Sequence, residues 1–415
     1  MTIDRDMKAA IAVSRFGLGA RPGELDLART DPEGFLAAQI RREGADQPQA
    51  DPESSVQRYV QIRDYQMQRR EARQEGDPQS ASEKSDPVKD AQRMIRQTGA
   101  KDFLARAQLG ASTPDGFRER WTLFWANHFT VSATKLITAT LVGPFEQEAI
   151  RPNVFGRFED LLVASSTHPA MLVYLDQAQS VGPDTRAADF MARRSGKQAG
   201  LNENLAREIL ELHTVGVDAG YTQGDVTEFA RALTGYSIGG PRQGEKEGVF
   251  VFRDIAHEPG RRTIMGRTYD QEGGRQALAV MKDLAASPHT AGHIARKLAV
   301  HFVADDPPPA LVERLKGAYL SSNGDLAHVA RTLVSAPEAW DPAARKFKTP
   351  YEFLISSYRA TGAAPQDLRE VGPIMTGLGQ KPFAAPSPKG WADEASVWCA
   401  PDAVVKRMAW SEAFA

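Results

Sequence analysis

LNENLAREILELHTVGVDAGYTQGDVTEFARALTGY, Leu201–Tyr236, reads as two short helices joined by a glycine-bearing turn. Asn202 or Asn204 starts the first, because an Asn side chain satisfies the free amides of a first turn. At about 100° per residue, Asn204, Arg207, Glu208 and Glu211 share roughly one third of the circumference. Leu205, Ile209 and Leu212 form the adjacent core face, and Gly216 is the stop. Thr222 and Asp225 have capping-box spacing, with Asp replacing the usual Glu or Gln. Val226, Phe229, Ala230 and Leu233 make an apolar stripe, Asp225, Glu228 and Arg231 lie outside it, and Gly235 ends the helix. So short a connection predicts an antiparallel, packed pair.

Two readings of this charged hairpin stand open. In the catalytic one, Glu208 and Glu211 face Asp225 or Glu228 and exchange protons, while Arg207 and Arg231 clamp an anionic substrate. In the structural one, Asp225 caps a helix, and Glu208 and Glu211 pair with Arg207 and Arg231 to fix the packing. No metal is expected. Di-metal helical sites use Glu-x-x-His, whereas Glu211-x-His213 splits the ligands between faces.

The pattern NEN-x-ARE-x-x-ELHT-x-GV followed by YT-x-x-DV-x-x-x-AR-x-LTG resembles the signature of a bacterial family, the eighteen-hundred member of the numbered domains of unknown function. Matching segments are RFGLGARPGE from Arg15, RWTLFWANHF from Arg120, HPAMLVYLD from His168, HEPGRRTIMG from His257, KFKTPYEF from Lys346 and PSPKGW from Pro386. Where the family usually has His-Asp, this chain has His257-Glu258, which keeps the carboxylate and lengthens its reach. The resemblance names no settled activity. It implies a protein linked to the cell envelope and a partner encoded nearby, itself exported by the twin-arginine route and resembling the alkaline phosphatase superfamily.

The 415 residues can bury a large core. Lys plus Arg (51) nearly balances Asp plus Glu (53), so no global field favours nucleic acid or an anionic membrane. No apolar run is long enough to span a bilayer. Arg15 interrupts the short apolar run near the start, so no secretory signal is read; the expectation is cytoplasmic, or periplasmic by co-export with the partner. The single cysteine, Cys399, excludes an internal disulfide and reads as a small buried residue.

Helical signals cover nearly everything else. Only GVFVFRDIA and RRTIMGRTY, around the turn HEPG, alternate like strands, which predicts one small ribbon over residues 248–269. His257 and Glu258 fall at its turn. Residues 44–86 and 180–200 read as mobile surface segments, the second basic enough to serve as a lid over the hairpin. His128 falls within a stripe of Phe117, Trp121, Phe124 and Trp125, as a core histidine or a base in a dry, aromatic-walled pocket. His289 and His293 have helical metal-pair spacing without a Glu between them. Gly17-x-Gly19 sits in a loop with only a weak phosphate-binding resemblance, and Arg261, Arg262 and Arg267 form a patch able to hold an anion. No Walker loop, dinucleotide turn, nucleophile elbow or His-Glu-x-x-His is present, and no cofactor is indicated.

These observations predict a mainly α, compact, single-domain protein, residues 1–415. The first functional expectation is a binding or assembly partner of an exported envelope protein. The alternative is a hydrolase using Glu208, Glu211 and His257 for acid–base chemistry, with Arg207, Asp225, Arg231 and His128 holding the substrate.

Overall fold

The computed structural model describes residues 4–49, 53–74, 87–195, 200–241 and 246–415. Helix dominates, as expected. The N-terminal helices are α1 (Arg5–Ile11), α2 (Glu24–Thr30), α3 (Pro32–Ala37) and α4 (Ser55–Gln74). Then come α5 (Pro87–Ser112), α6 (Gly116–His128), α7 (Leu136–Phe145), α8 (Phe158–Thr167), α9 (Pro169–Tyr174) and α10 (Arg186–Ser195). The hairpin comprises α11 (Asn204–Glu208) and α12 (Gln223–Leu233). It is followed by α13 (Arg275–Ala285), α14 (Pro288–Phe302), α15 (Pro309–Ser321) and α16 (Leu326–Ser335). The last are α17 (Pro350–Thr361), α18 (Leu368–Gly377), α19 (Ala395–Trp398) and α20 (Pro401–Phe414).

Three helical stretches relax into a single π turn, at Ala12–Phe16, Glu146–Ile150 and Ile209–His213. Such turns leave carbonyls free of the regular ladder and recur at functional sites.

The strand pairing differs from expectation. Phe250–Phe252 (β2) pairs antiparallel with Tyr236–Ile238 (β1), immediately after the hairpin. Arg262–Ile264 (β3) pairs with Arg267–Tyr269 (β4). Among the described residues there are thus two ribbons, and β2 does not pair with β3. The reason is local. Met265 and Gly266 both take positive φ, 49° and 75°, and form the two-residue turn that a tight hairpin requires. Pro259 and Gly260, read as that turn, instead carry the chain from one ribbon to the other.

Two cores form. The larger gathers Phe16, Trp121, Trp125, Phe158, Phe229 and Phe302 from the helices around α6 and α14. The smaller packs Leu18 and Phe103 against Tyr351, Ile355 and Met375 of α17 and α18. The aromatic stripe on α6 is buried as expected: Trp121 stacks on Phe155 at 6.0 Å, and its indole N–H donates to the Val154 carbonyl at 2.8 Å.

Of the stretches expected to be mobile, α4 and α10 occupy parts, while residues 50–52, 75–86 and 196–199 lie outside the described residues. The described part of the basic stretch docks on the His257–Glu258 turn: the Asp184 amide donates to the buried Glu258 carboxylate at 3.0 Å. Cys399 is exposed, contrary to expectation, because the packed side chain of its short helix is Trp398. Among the described residues no helix is long and apolar enough to cross a membrane.

Trp121→Ala should cost about 3–5 kcal/mol through lost burial and the cavity left behind. Urea denaturation reads this as a lower midpoint, and an unchanged midpoint would contradict the buried stack.

Candidate functional site

The hairpin charges separate into ties and one loose pair. Glu203 accepts from Thr227 Oγ1 at 2.7 Å and Gln223 Nε2 at 2.8 Å, and Arg207 bridges Glu203 and Gln223, so α11 is laced to α12. Thr222 and Asp225 form the expected capping box, and Asp225 also accepts the Met265 amide at 2.6 Å, docking the β3–β4 turn. Glu228 lies 3.5 Å from both Arg231 and Arg262. His257 meets the Thr234 carbonyl through Nδ1 at 2.9 Å and packs on Phe252; neither Glu208 nor Glu211 is its partner. Asp225, Glu228 and Arg231 are therefore not gathered with Glu208 and Glu211 around one point.

Glu208 and Glu211 stand differently. Glu211 accepts from Tyr221 Oη at 3.2 Å, and no ion pair closes on Glu208 among the described residues. Burial, then repulsion from Glu211, raise the Glu208 carboxyl to about 7, against a weaker pull from Arg207. That is a proton-exchanging carboxyl.

A second group of titratable residues lies between α6 and α14. On α14, His293, Lys297 and His301 recur every four residues and share a face. On α6, Arg120, Phe124 and His128 do the same in the opposite direction. Arg120 donates to the His301 carbonyl at 3.0 Å, and Lys297 Nζ donates to His128 Nδ1 at 3.0 Å. His128 Nε2 donates to the His213 carbonyl at 3.1 Å. His213 from the hairpin closes this seam, buried, with neither ring nitrogen partnered.

Burial and then Lys297 push the His213 imidazole down to about 3 and His293 to about 4, and hold His128 well below its ordinary value. Burial brings Lys297 itself to about 8. His128 is thus a neutral donor and acceptor at the centre of the seam.

The seam ends at a small cleft between the two cores, a cavity of about 100 Å³ that opens to solvent. Its wall carries a histidine–aspartate pair: His301 Nδ1 lies 2.6 Å from Asp393 Oδ1, and His301 Nε2 is buried without a partner. Burial favours a protonated Asp393, but His301, Lys297 and Lys346 outweigh it and keep the carboxylate ionised. Glu352 is likewise raised by burial, then overcome chiefly by Arg120, 2.7 Å away, to about 2. The lining also includes Arg106, stacked over Tyr351 at 4.9 Å, and Trp391, held at both backbone polar groups by the Asn127 amide at 2.8 Å.

Sequence reasoning missed His301, Asp393 and Lys297. The four-residue recurrence along α14 was a readable signal, but His289 diverted it; His289 is exposed and belongs to no cluster. Asp393 carried no local signal. Among the described residues, no group of three or more His, Cys, Asp or Glu is arranged to hold a metal ion.

A family model described as "Protein of unknown function (DUF1800)" matches residues 11–415, and the chain belongs to that family. No curated protein and no solved structure matches it.

Two pH-dependent outcomes follow. Glu208 has a folded pKa of about 7 against 4.5 for the ordinary group, so the folded state holds the extra proton between those values. Its contribution is complete below pH 4.5 and lost as pH rises through 7. Glu208→Gln should therefore be at least as stable as wild type above pH 7; a clear loss would show that the carboxylate has a cationic partner. The buried histidines act in the opposite sense. The unfolded chain takes up their protons near 6.5 while folded His213 and His293 resist to about 3 and 4, so stability falls as pH drops below 6.5. His213→Phe should shrink that acid loss in denaturation midpoints taken from neutral to acid pH, and an unaltered profile would count against the seam.

Proposed function

We propose that this family member is an enzyme, a hydrolase using acid–base chemistry in the cleft between its two cores. The observation that carries this reading is the His301–Asp393 pair. An imidazole whose Nδ1 is fixed by a buried carboxylate keeps its Nε2 lone pair in one direction and is stabilised when that nitrogen takes a proton. Among the described residues no side-chain hydroxyl or thiol hydrogen-bonds Nε2, so the proton comes from the attacking water. His301 would then return it to the leaving group. Arg106, its charge shared with Glu146, leaves its Nε–H without a partner among the described residues on the cleft wall, and the rings of Tyr351, Phe383 and Trp391 offer flat apolar walls to the substrate.

Glu208 supports a second site for the same chemistry. It is the hairpin carboxyl with a proton affinity near neutrality and no cation closed upon it, with Glu211 beside it; Arg207, Asp225, Arg231 and His257 then act as supports. The reading of a binding or assembly partner for an exported envelope protein draws support from the hairpin's other charges, which are spent on internal ties.

Complementation of a deletion strain separates these readings, combined with assays of the purified protein on ester, amide, glycoside and phosphoester substrates. His301→Gln and Asp393→Asn should fold and fail, whereas Glu208→Gln should retain function. A functional His301→Gln protein would contradict the cleft reading. Failure of Glu208→Gln alone would move the chemistry to the hairpin, and full complementation by all three would favour assembly.

A further inference from the structure

A second cavity, about 280 Å³, is lined by both members of the Arg120–Glu352 pair, and Glu352 also lines the His301 cleft. Two separated segments meet there: RFGLG, ending the first π turn, and ARKFK, leading into α17. They bring Arg15, Arg345, Lys346 and Lys348 to the same walls as Arg120, and the one carboxylate among the lining residues is Glu352.

Two of these cations are already neutralised. Arg120 is paired with Glu352 at 2.7 Å, and Lys346 with Asp305. The other three are not. Arg15 donates to the carbonyls of Ala339 and Ala344, and Asp341 attracts its charge without closing an ion pair on it. No hydrogen bond or ion pair closes on Arg345 or Lys348 among the described residues. Lys348 is partly withdrawn from solvent, and burial lowers its pKa against the attraction of Glu352. Holding three cations without a closed ion pair around one concave space costs free energy through repulsion and desolvation, and a multiply charged anion entering that space offsets it. Guanidinium groups also match the tetrahedral oxygens of such an anion in pairs, and an ammonium adds a point charge.

We propose that this cavity binds an oxyanion group of the phosphate or sulfate type, held between Arg15, Arg345 and Lys348. The volume exceeds that of a free ion, so the group fits there while attached to a larger molecule. Anion binding there is independent of proton transfer at His301.

Isothermal titration of the full chain with inorganic phosphate, with sulfate and with phenyl phosphate, at ionic strength matched by chloride, tests this. All three should bind. Arg345→Gln, a change at an exposed side chain, should weaken each by about tenfold, and Lys348→Gln should do the same. Lys282→Gln on α13 should leave affinity unchanged. Phenyl phosphate binding at least as tightly as phosphate would mark a site that reads the group on a larger molecule; tighter phosphate would mark a site for the free ion. Absence of binding beyond the chloride control, or binding unaltered in both Arg345→Gln and Lys348→Gln, would overturn the proposal.

Discussion

Arg151 is fully buried and holds the centre of the molecule in place. Its guanidinium meets Glu119 of α6 at 2.7 and 2.8 Å and Glu146 of the second π turn at 2.7 and 3.0 Å, and it reaches the Asp46 carbonyl at 2.7 Å. Arg106 of α5 adds a further bond to Glu146 at 3.1 Å. Burial works against the Arg151 charge, but Glu119 and Glu146 outweigh it and hold its pKa above the ordinary arginine range. Removing one partner from such a set leaves a buried charge uncompensated, at about 3–5 kcal/mol. The arrangement therefore fixes α5, α6 and the chain after α7 against one another, and with them the walls of the central cleft.

The functional geometry follows from that anchoring. With Glu119 committed to Arg151, α6 turns its Arg120–Phe124–His128 row toward α14, where His301, Lys297 and His293 answer it. Arg120 belongs to both systems, bonding Glu352 and the carbonyls of Arg15 and His301. Its partner Glu352 lines both the His301 cleft and the basic cavity. Charges that a smaller protein would leave at its surface are here desolvated and arranged in rows, which is the condition for proton affinities far from their solution values.

Local features of this fold were legible in the sequence, and distant ones were not. The Thr222–Asp225 cap needs only three residues of spacing, and the α6 stripe only one helical period, so both are as expected. The ribbon pairing was not, because alternation marks a strand without naming its partner, and Tyr236–Ile238 gave too short a pattern to compete. Arg151 and Glu119 are 32 residues apart, and His301 and Asp393 are 92 apart. Nothing in either neighbourhood announces the pairing. Charge density drew attention to the hairpin, yet most of its charges are occupied in joining α11, α12 and the ribbons. The cleft pair instead includes an isolated residue, Asp393, made notable by the His301 ring it meets.

The account depends most on the protonation of His301. Nitrogen-15 NMR of the imidazole rings near neutral pH reads it directly, with His301→Gln supplying the assignment. In the neutral form of the ring the account predicts the proton on Nδ1, shared with Asp393, and a bare Nε2. A neutral ring carrying its proton on Nε2 would contradict it.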